Sequence, residues 1–374
     1  MNEAAVLFEE RASGAGKRIG IATLNSEKTL NALTFDMVQL LLDKLRQWQS
    51  DDTIACVFIQ GAGPKALCAG GDVQQLYRSA IEQPGGPCED AEAFFELEYR
   101  MNYLLHTYAK PIICWGHGIV MGGGLGILAG CSHRIVTEKT RMAMPEVTIA
   151  LFPDVGGSWF LNRMPGRVGL FLALTAAAMN GPDCIYTGIA DRFIASTLQQ
   201  EVLSELGELQ WNTDSEMHGQ QITHLLRKFE QRSAEQKPAG NVAAHYDVIQ
   251  DLTDQDSFYD IVDAITSVET EDTWLQRASS GLAQGSPISA SNIYQALQET
   301  LHMSLAEVFQ FELMLATNVV RHPEFAEGVR ALLIDKDKNP RWQYASVRDV
   351  PRQLMASMIT LPWPENPLAN ITAQ

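Results

Sequence analysis

Short apolar segments alternate with amphipathic ones through the first half of the chain, and this alternation constrains the fold more than any other feature. Two apolar segments of strand length, Ile54–Gln60 and Pro111–Trp115, are separated by segments with helical periodicity. An earlier segment, residues 35–50, has the same periodicity, and Thr34 is placed to cap it. Buried strands separated by helices are typical of a parallel sheet that helices cover. The sequence therefore predicts an α/β fold.

Beyond about residue 195 the strand signals fade and helical periodicity dominates. The clearest helical segments are His218–Arg232, Ser257–Thr266 and Leu305–Val320. We therefore predict an α/β core with the active site over residues 1–195. A helical C-terminal region over residues 196–374 is expected to pack on this core, and the two together can also be counted as one domain.

Charge and hydropathy exclude several kinds of partner. The formal net charge is −17, whereas nucleic-acid surfaces need an excess of Lys and Arg. No apolar run reaches the roughly 18 to 20 residues of a membrane span. The N-terminal sequence Met1-Asn2-Glu3-Ala4-Ala5 lacks the basic and apolar stretches of a secretory signal. We therefore expect no nucleic-acid partner, no membrane partner and no secretion.

The cysteines and histidines carry no metal or disulfide pattern. No two of the six cysteines form a C-x-x-C pair, and the eight histidines lack zinc-ligand spacing. Buried free thiols are typical of a reducing compartment, so we expect a cytoplasmic protein. Phosphate-binding and dinucleotide motifs are absent, and Gly122, Gly124 and Ile127 are only a near miss for G-x-G-x-x-G. The expectation is an enzyme without a metal or a cofactor.

A serine-hydrolase elbow is also absent. The segment Gly156-Gly157-Ser158-Trp159-Phe160 lacks the final glycine of G-x-S-x-G. Hydrolysis through a Ser-His-Asp triad therefore loses its usual sequence signature.

Two glycine-rich loops each follow a strand and precede a helix. They are Leu67-Cys68-Ala69-Gly70-Gly71-Asp72 and the segment from Gly116 to Gly124. Glycine lets backbone N–H groups approach a ligand closely. Two N–H groups that converge on one point form an oxyanion hole, in which a single donor contributes roughly 3 to 4 kcal/mol. Either loop alone also fits an ordinary tight turn.

Two carboxylates lie eight residues apart in a third, largely apolar segment from Met144 to Gly157. These are Glu146 and Asp154. Apolar surroundings raise the pKa of a carboxyl group, which then serves as a base or a nucleophile. The alternative for either residue is a solvated surface acid.

Together these segments resemble the enoyl-CoA hydratase/isomerase (crotonase) superfamily, and most closely its 3-hydroxyisobutyryl-CoA hydrolase branch. The resemblance runs from about Leu24 to about Trp342. The matching motifs are Leu30-Asn31-Ala32-Leu33, Ala69-Gly70-Gly71-Asp72, Met121-Gly122-Gly123-Gly124, Phe152-Pro153-Asp154-Val155-Gly156-Gly157, Ser286-Pro287 and Glu327–Asp337. The resemblance implies a crotonase-like spiral of ββα units with a helical C-terminal region.

The resemblance also implies roles for individual residues. The N–H groups of Gly71 and Gly123 would form the oxyanion hole, and Glu146 would be the catalytic carboxylate. Asp154 would be a second polar group beside the acyl chain. Glu98, in the helix before the second loop, would contact the substrate, although a helix-surface acid is an equal alternative.

Coenzyme A is anionic, so its site needs local positive charge or backbone N–H groups. Ala69 and Gly71 are expected to contact it through the first glycine loop. Lys28, Lys65 and Lys110 lie close in sequence to the loops and are candidates for its phosphates. The alternative for each lysine is an ordinary solvated side chain.

Gly126 separates hydrolysis from hydration. Hydratases of the superfamily carry a first glutamate just after the second glycine loop, where this chain has Gly126. A single glutamate beside an oxyanion hole still suffices to attack a thioester or activate water. The implied reaction is hydrolysis of a short branched 3-hydroxyacyl-CoA thioester, 3-hydroxyisobutyryl-CoA, to 3-hydroxyisobutyrate and coenzyme A, as in valine breakdown.

Three questions stay open at this point. Glu146 acts either through a mixed anhydride or as a general base. The competing functions are an enoyl-CoA hydratase or isomerase, and a non-catalytic scaffold or RNA-binding protein with the crotonase fold. Relatives commonly form trimers or hexamers, so a homo-oligomer is a further expectation.

Overall fold

A computed structural model describes residues 4–373 of the chain. Met1, Asn2 and Glu3, on which the expectation of no signal segment partly depends, lie outside the described residues, as does Gln374. The strands are β1 (Val6–Ala12), β2 (Arg18–Leu24), β3 (Ile54–Gly61), β4 (Ala66–Cys68), β5 (Ile112–Gly116), β6 (Ile119–Met121), β7 (His133–Val136), β8 (Arg141–Ala143) and β9 (Arg192–Phe193).

Helices make up most of the remaining chain. The α-helices are α1 (Phe35–Ser50), α2 (Val73–Glu82), α3 (Glu89–His106), α4 (Gly123–Gly130), α5 (Gly157–Leu161), α6 (Val168–Thr175), α7 (Gly181–Tyr186), α8 (Gln199–Glu208), α9 (His218–Arg232), α10 (Asn241–Ala244), α11 (Tyr246–Thr253), α12 (Phe258–Thr266), α13 (Thr273–Gln284), α14 (Pro287–Glu299), α15 (Leu305–Arg321), α16 (Pro323–Val329) and α17 (Arg352–Met358). Short 3₁₀-helices cover Gly14–Gly16, Glu27–Thr29, Glu146–Ile149, Ser196–Leu198, Ser215–Met217, Ala234–Gln236, Val347–Asp349 and Ile371–Ala373, and Arg330–Ile334 is one π-helical turn.

The chain forms two compact units that are interleaved in sequence. The first unit contains the chain up to Gly71 and residues 104–142 and 179–243. The second contains residues 72–103, 143–178 and the chain from Ala244 onward. These units differ from the predicted division at residue 195, because each is assembled from segments that are distant in sequence. The predicted packing of a C-terminal region on a core stays a prediction.

A six-stranded sheet forms the centre of the first unit, in the order β1-β2-β3-β5-β7-β9. β1 and β2 are antiparallel, and the other neighbours are parallel. The predicted strands are confirmed as β3 and β5, and the predicted Thr34 cap accepts the N–H of Met37. β1 was not predicted, because only its first residue, Val6, is buried and its sequence lacks an apolar run.

One face of this sheet carries the core of the first unit. Phe58 and Trp115 project from β3 and β5 and stack with ring centroids 6.4 Å apart. Leu226 and Phe229 of α9 belong to the same buried cluster. The apolar residues that give residues 218–232 their helical periodicity thus form the face of α9 that packs in this core.

A second, three-stranded sheet in the order β4-β6-β8 leads into the glycine loops. β4 and β6 pair in parallel, with Ala66 opposite Ile119 and Cys68 opposite Val120. The segment from Gly116 to Gly124, interpreted as a turn, therefore contains a strand. Strands of three residues are too short to produce a recognisable alternation pattern.

The second unit is mainly helical, and its part from Ala244 onward agrees with the periodicity that predicts helices beyond residue 195. The predicted helix near Ser257 is α12, and Ser257 caps it by accepting the N–H of Asp260. Ser304 and Glu307 form a capping box at the start of α15. A partly buried ion pair between Arg321 and Glu92, at 2.7 Å, joins the end of α15 to α3. Among residues 4–373, no helix has the length and apolar character needed to cross a membrane.

Candidate active site

The two glycine loops lie side by side in the first unit. β4 and β6 are parallel, so the loops that follow them leave the same edge of the sheet. Gly70 has a φ of +112°, and a Cβ there would lie 3.3 Å from the Met121 carbonyl oxygen and 3.7 Å from the Gly123 nitrogen. The predicted juxtaposition of the loops is therefore present, and the left-handed backbone makes Gly70 necessary.

The second loop ends at the N-terminus of α4. Gly122 adopts φ 49° and ψ −122°, a conformation that suits glycine, and Gly123 is the first residue of the helix. An N–H in the first turn has no partner inside its helix and lies at the positive end of the helix dipole. A Cβ on Gly124 would lie only 2.3 Å from the Cys68 carbonyl oxygen, at the end of β4. These features suit the Gly123 N–H to bind an oxyanion.

The candidate coenzyme A residues fall into two groups. The Ala69 N–H donates to the Leu30 carbonyl, so the segment around Lys28 is tied to the first glycine loop. Lys28 and Lys65 are both exposed. A Cβ on Gly63, two residues before Lys65, would lie 2.3 Å from the carboxyl carbon of Glu27. The Glu27 side chain, next to Lys28, therefore reaches the loop that carries Lys65.

Lys110 is differently placed. Its Nζ donates to the carbonyl oxygens of Trp48, at 2.8 Å, and Asp51, which end α1. Burial lowers the pKa of this amino group, while nearby Asp52 and Asp51 oppose that change. Two of the three donors of Lys110 therefore bind the end of α1. Its candidate role in binding phosphate stays a prediction.

The buried side chains of the second unit include four carboxyl groups and one phenol that come from four separate segments. They are Glu98, Tyr99, Glu146, Asp154 and Glu312, each at most 4% exposed. They come from α3, from the 3₁₀-helix at residues 146–149, from the turn before α5 and from α15. The alternatives of solvated surface acids for Glu98, Glu146 and Asp154 are therefore wrong.

Asp154 accepts a hydrogen bond from a side chain of the same group. The Tyr99 hydroxyl donates to its Oδ2 at 2.6 Å. Burial raises the pKa of Asp154 from 3.8 to about 6, although the Tyr99 hydrogen bond and a backbone N–H lower it. Asp154 therefore titrates just below neutral pH.

Glu146 and Glu98 are poised to bind a polar group. Burial raises the pKa of each well above 4.5, and the charge of Asp154 raises both further. Within the described part of the chain, Glu146 Oε2 and Glu98 Oε1 have no hydrogen-bond partner. Buried polar atoms are usually satisfied. These two oxygens are thus available to a substrate or a water molecule.

The C-terminal helices fix the backbone around Glu146. The Ser286 N–H donates to the Val147 carbonyl at 3.0 Å, and the Ser289 hydroxyl donates to the Leu151 carbonyl. A Cβ on Gly328 would lie 2.6 Å from the carbonyl carbon of Ile149. Two motifs of the resemblance, Ser286-Pro287 and the segment from Glu327, therefore support the 3₁₀-helix that carries Glu146.

Glu312 and Tyr99 were missed by the sequence analysis. Glu312 accepts the N–H groups of Gly156 and Ser158 at 2.7 and 2.8 Å. It stands in the helical sequence Phe311-Glu312-Leu313-Met314, where a carboxylate ordinarily marks a solvated face. Only its complete burial, uncommon for a glutamate, could have identified it, and a single sequence does not show burial.

Metal ligation was the remaining question about the site. No group of three or more His, Cys, Asp and Glu side chains within residues 4–373 is arranged to hold a metal ion.

A protein-family comparison decides the classification. The family described as enoyl-CoA hydratase/isomerase matches residues 19–359. This chain belongs to that family. The resemblance seen in the motifs is confirmed.

Individual relatives extend over nearly the whole chain. The zebrafish (Danio rerio) protein named 3-hydroxyisobutyryl-CoA hydrolase, mitochondrial, is 36% identical over 352 residues, which cover 94% of this chain and 88% of the relative. A crystal structure of a carnitinyl-CoA dehydratase from Mycobacterium thermoresistibile is 31% identical with a TM-score of 0.85, covering 98% of this chain and 99% of that one. The small ribosomal subunit protein mS47 of Neurospora crassa is 33% identical and covers 88% of this chain and 66% of that protein. The predicted crotonase-like α/β fold is confirmed.

Proposed function

We propose that this protein hydrolyses 3-hydroxyisobutyryl-CoA to 3-hydroxyisobutyrate and coenzyme A. The observation that carries the proposal is the buried Glu146, with an oxygen that has no partner among the described residues, in a chain with Gly126 at the position of the hydratase glutamate. The similarity to proteins named 3-hydroxyisobutyryl-CoA hydrolase supports the choice of substrate.

In the proposed reaction the N–H groups of Gly71 and Gly123 bind the thioester oxygen. The charge that develops there favours attack at the carbonyl carbon. In the covalent route a Glu146 oxygen bonds to that carbon, the carbon–sulfur bond breaks, and coenzyme A leaves as a thiolate that takes up a proton. Water then hydrolyses the mixed anhydride and regenerates Glu146.

In the general-base route Glu146 instead takes a proton from the attacking water. That proton passes to the departing thiolate when the carbon–sulfur bond breaks. Asp154 and Glu98 are proposed to bind the 3-hydroxyl of the acyl group in either route. A raised pKa suits Glu146 to this work, because a base functions best when its pKa is close to the operating pH.

The substrate is tested by release of free thiol from a panel of acyl-CoA thioesters. We expect the highest kcat/KM for 3-hydroxyisobutyryl-CoA, and Glu146→Gln should lower kcat at least about 100-fold while ligand binding persists. Near-normal turnover in that variant would remove Glu146 from the mechanism. Hydration of crotonyl-CoA without thiol release would instead favour the hydratase alternative. Inactivity across the panel, together with RNA binding, would favour the non-catalytic one.

The two routes are separated by a single turnover in ¹⁸O-labelled water. Label in the Glu146 carboxyl group indicates an anhydride that water opens at the glutamyl carbon. Trapping with hydroxylamine gives an independent test, since an anhydride yields a hydroxamate at Glu146. Label confined to the product, with no trapped adduct, indicates the general-base route.

We propose that Lys28 and Lys65 bind the phosphates of coenzyme A. Both are exposed on neighbouring loops beside the first glycine loop. The double variant Lys28→Ala/Lys65→Ala should raise KM for acyl-CoA with little change in kcat, whereas Lys110→Ala should mainly lower stability. An unchanged KM in the double variant would contradict this assignment.

We further propose a cytoplasmic enzyme that needs no cofactor. All six cysteines are buried, and no disulfide joins any two of them in the described part of the chain, which supports a reducing compartment. The zebrafish relative is named as mitochondrial, so fractionation of cells that express the full chain is the test. Full activity after dialysis against a chelator is expected, and a loss that a metal ion restores would contradict it.

A further inference from the structure

We propose that Glu312 is a positioning residue, which holds the turn at residues 154–158 in the shape that presents the Asp154 carboxylate. This inference rests on the proposed function, because it assigns a role in the same thioester hydrolysis. It concerns contacts within the second unit only.

The turn after Asp154 has a backbone that needs support. Val155, a β-branched residue, has a φ of +53°, and Gly156 has a φ of +84°. A left-handed conformation is uncommon for non-glycine residues and is an outlier for a β-branched one. Such strain persists only where the surroundings impose it. Glu312 contacts this turn directly.

Both oxygens of the Glu312 carboxyl group accept hydrogen bonds from this turn. Oε2 accepts the Gly156 N–H at 2.7 Å, and Oε1 accepts the Ser158 N–H at 2.8 Å. Successive N–H groups of a left-handed turn point toward one side and form an anion-binding concavity. Glu312 is fully buried, so water cannot replace it as the acceptor. The Glu312 carboxyl group thus compensates for the unfavourable backbone of Val155.

The same helix also supports the side chain of Asp154. The Tyr99 hydroxyl donates to Asp154 Oδ2 at 2.6 Å. The Tyr99 ring packs against Phe309, with centroids 5.9 Å apart. Phe309 precedes Glu312 by three residues on α15, so the two lie on one face of that helix. One face of α15 therefore contacts both the turn that follows Asp154 and the residue that donates to its carboxylate.

The proximity of two acids has an electrostatic consequence. Burial raises the pKa of Glu312 to about 8, against the two backbone N–H groups, and the charge of Asp154 raises it too. Natural cores rarely keep a buried acid beside another acid unless it has a function. The arrangement supports a role in the site better than a role in stability.

The experiment compares three substitutions in the full chain. Glu312→Gln keeps one acceptor for the two N–H groups, and Glu312→Leu keeps none. Asp183→Asn is the matched control, because Asp183 is equally buried and accepts the N–H groups of Asn180 and Val242 at 3.0 and 2.8 Å in the first unit. Each variant is checked by circular dichroism and thermal melting, and then by thiol release from 3-hydroxyisobutyryl-CoA.

We expect kcat to fall in the order wild type, Glu312→Gln and Glu312→Leu, by about 10- to 100-fold for the first substitution, with KM nearly unchanged. Asp183→Asn should lose stability but keep the wild-type kcat. Wild-type kcat in Glu312→Gln, or an equal loss in the control, would overturn the inference. An inactive wild type would instead overturn the proposed function and the inference with it.

If neither Glu312 variant folds, Phe309→Leu provides the second test. It removes the ring that packs against Tyr99 and leaves the acid in place. A folded Phe309→Leu protein with lowered kcat and unchanged KM supports the role of α15. A wild-type kcat in this variant contradicts it.

Discussion

Replacing Asp154 with asparagine should stabilise this protein at neutral pH while it lowers the activity. The amide oxygen can still accept the Tyr99 hydroxyl, so the 2.6 Å hydrogen bond has a neutral counterpart. What the substitution removes is a buried negative charge. The effect should therefore depend on pH, and that dependence distinguishes it from a simple packing change.

The magnitude follows from the pKa of Asp154, which burial raises from 3.8 to about 6. A carboxyl group whose pKa is raised by folding stabilises the folded state below its unfolded value, and this contribution is lost as pH rises toward the folded value. Since each pH unit between the two pKa values corresponds to about 1.4 kcal/mol, the loss is about 3 kcal/mol by pH 7. Glu146 and Glu98 would add to the gain, because the charge of Asp154 raises their pKa values too.

The measurement is urea unfolding of wild type and Asp154→Asn between pH 4 and pH 7.5, followed by tryptophan fluorescence and circular dichroism. The difference in the free energy of unfolding should be smallest near pH 4. It should grow in favour of the variant by about 3 kcal/mol at pH 7. Groups whose pKa values are the same in both proteins cancel in this difference. Asp183→Asn is again the control, and it should be destabilised because an amide has one oxygen to accept the two backbone N–H groups that the two Asp183 oxygens accept.

A difference that is independent of pH would refute the reasoning. So would a wild type that becomes the more stable protein as pH rises. Either result would mean that Tyr99 and the backbone stabilise the Asp154 carboxylate more than burial opposes it. The site would then not be an electrostatically unfavourable arrangement kept for catalysis.

Two further substitutions test the site. Tyr99→Phe removes the hydroxyl that lowers the pKa of Asp154, so the acid limb of kcat/KM against pH should move above about 6, and an unmoved limb would contradict this. Gly124→Ala places a methyl group only 2.3 Å from the Cys68 carbonyl oxygen, so the two glycine loops must move apart. Thiol release should therefore fall at least about 10-fold, and the melting temperature should drop. Gly207→Ala is its control, because the nearest atom to a Cβ there is 3.9 Å away, and a similar loss of activity in both would indicate a general effect of alanine.

Much of the fold was predictable because local patterns and tertiary packing agree. Residues 218–232 were predicted as a helix from periodicity alone, and they form α9. The buried strand Ile54–Gln60 is β3, in the middle of the larger sheet. The unpredicted β1 lacks such a pattern, since an edge strand with one buried residue need not be apolar.

Some residues of the candidate site could likewise be predicted from the sequence, and others could not. The glycine loops and Glu146 were recognisable because the residues that indicate their chemistry are consecutive in sequence. The role of Glu312 was not, since its two N–H partners are more than 150 residues away. Lys110 shows that closeness in sequence alone does not establish a contact. Its position near a glycine loop suggested a contact with coenzyme A, whereas in the tertiary structure its amino group binds the end of α1.

Sequence alone thus determined the α/β class, the glycine loops, the acid in an apolar segment and the missing second glutamate at Gly126. Tertiary structure decided which acids are buried, what donates to Asp154 and how α15 holds the turn that carries it. The physical reason is that backbone conformation and periodicity are local, whereas burial and the pKa of an acid depend on every segment that packs around it. Reactive groups such as Glu146 can be recognised in short motifs, whereas the groups that position them, such as Glu312, come from segments that are distant in sequence.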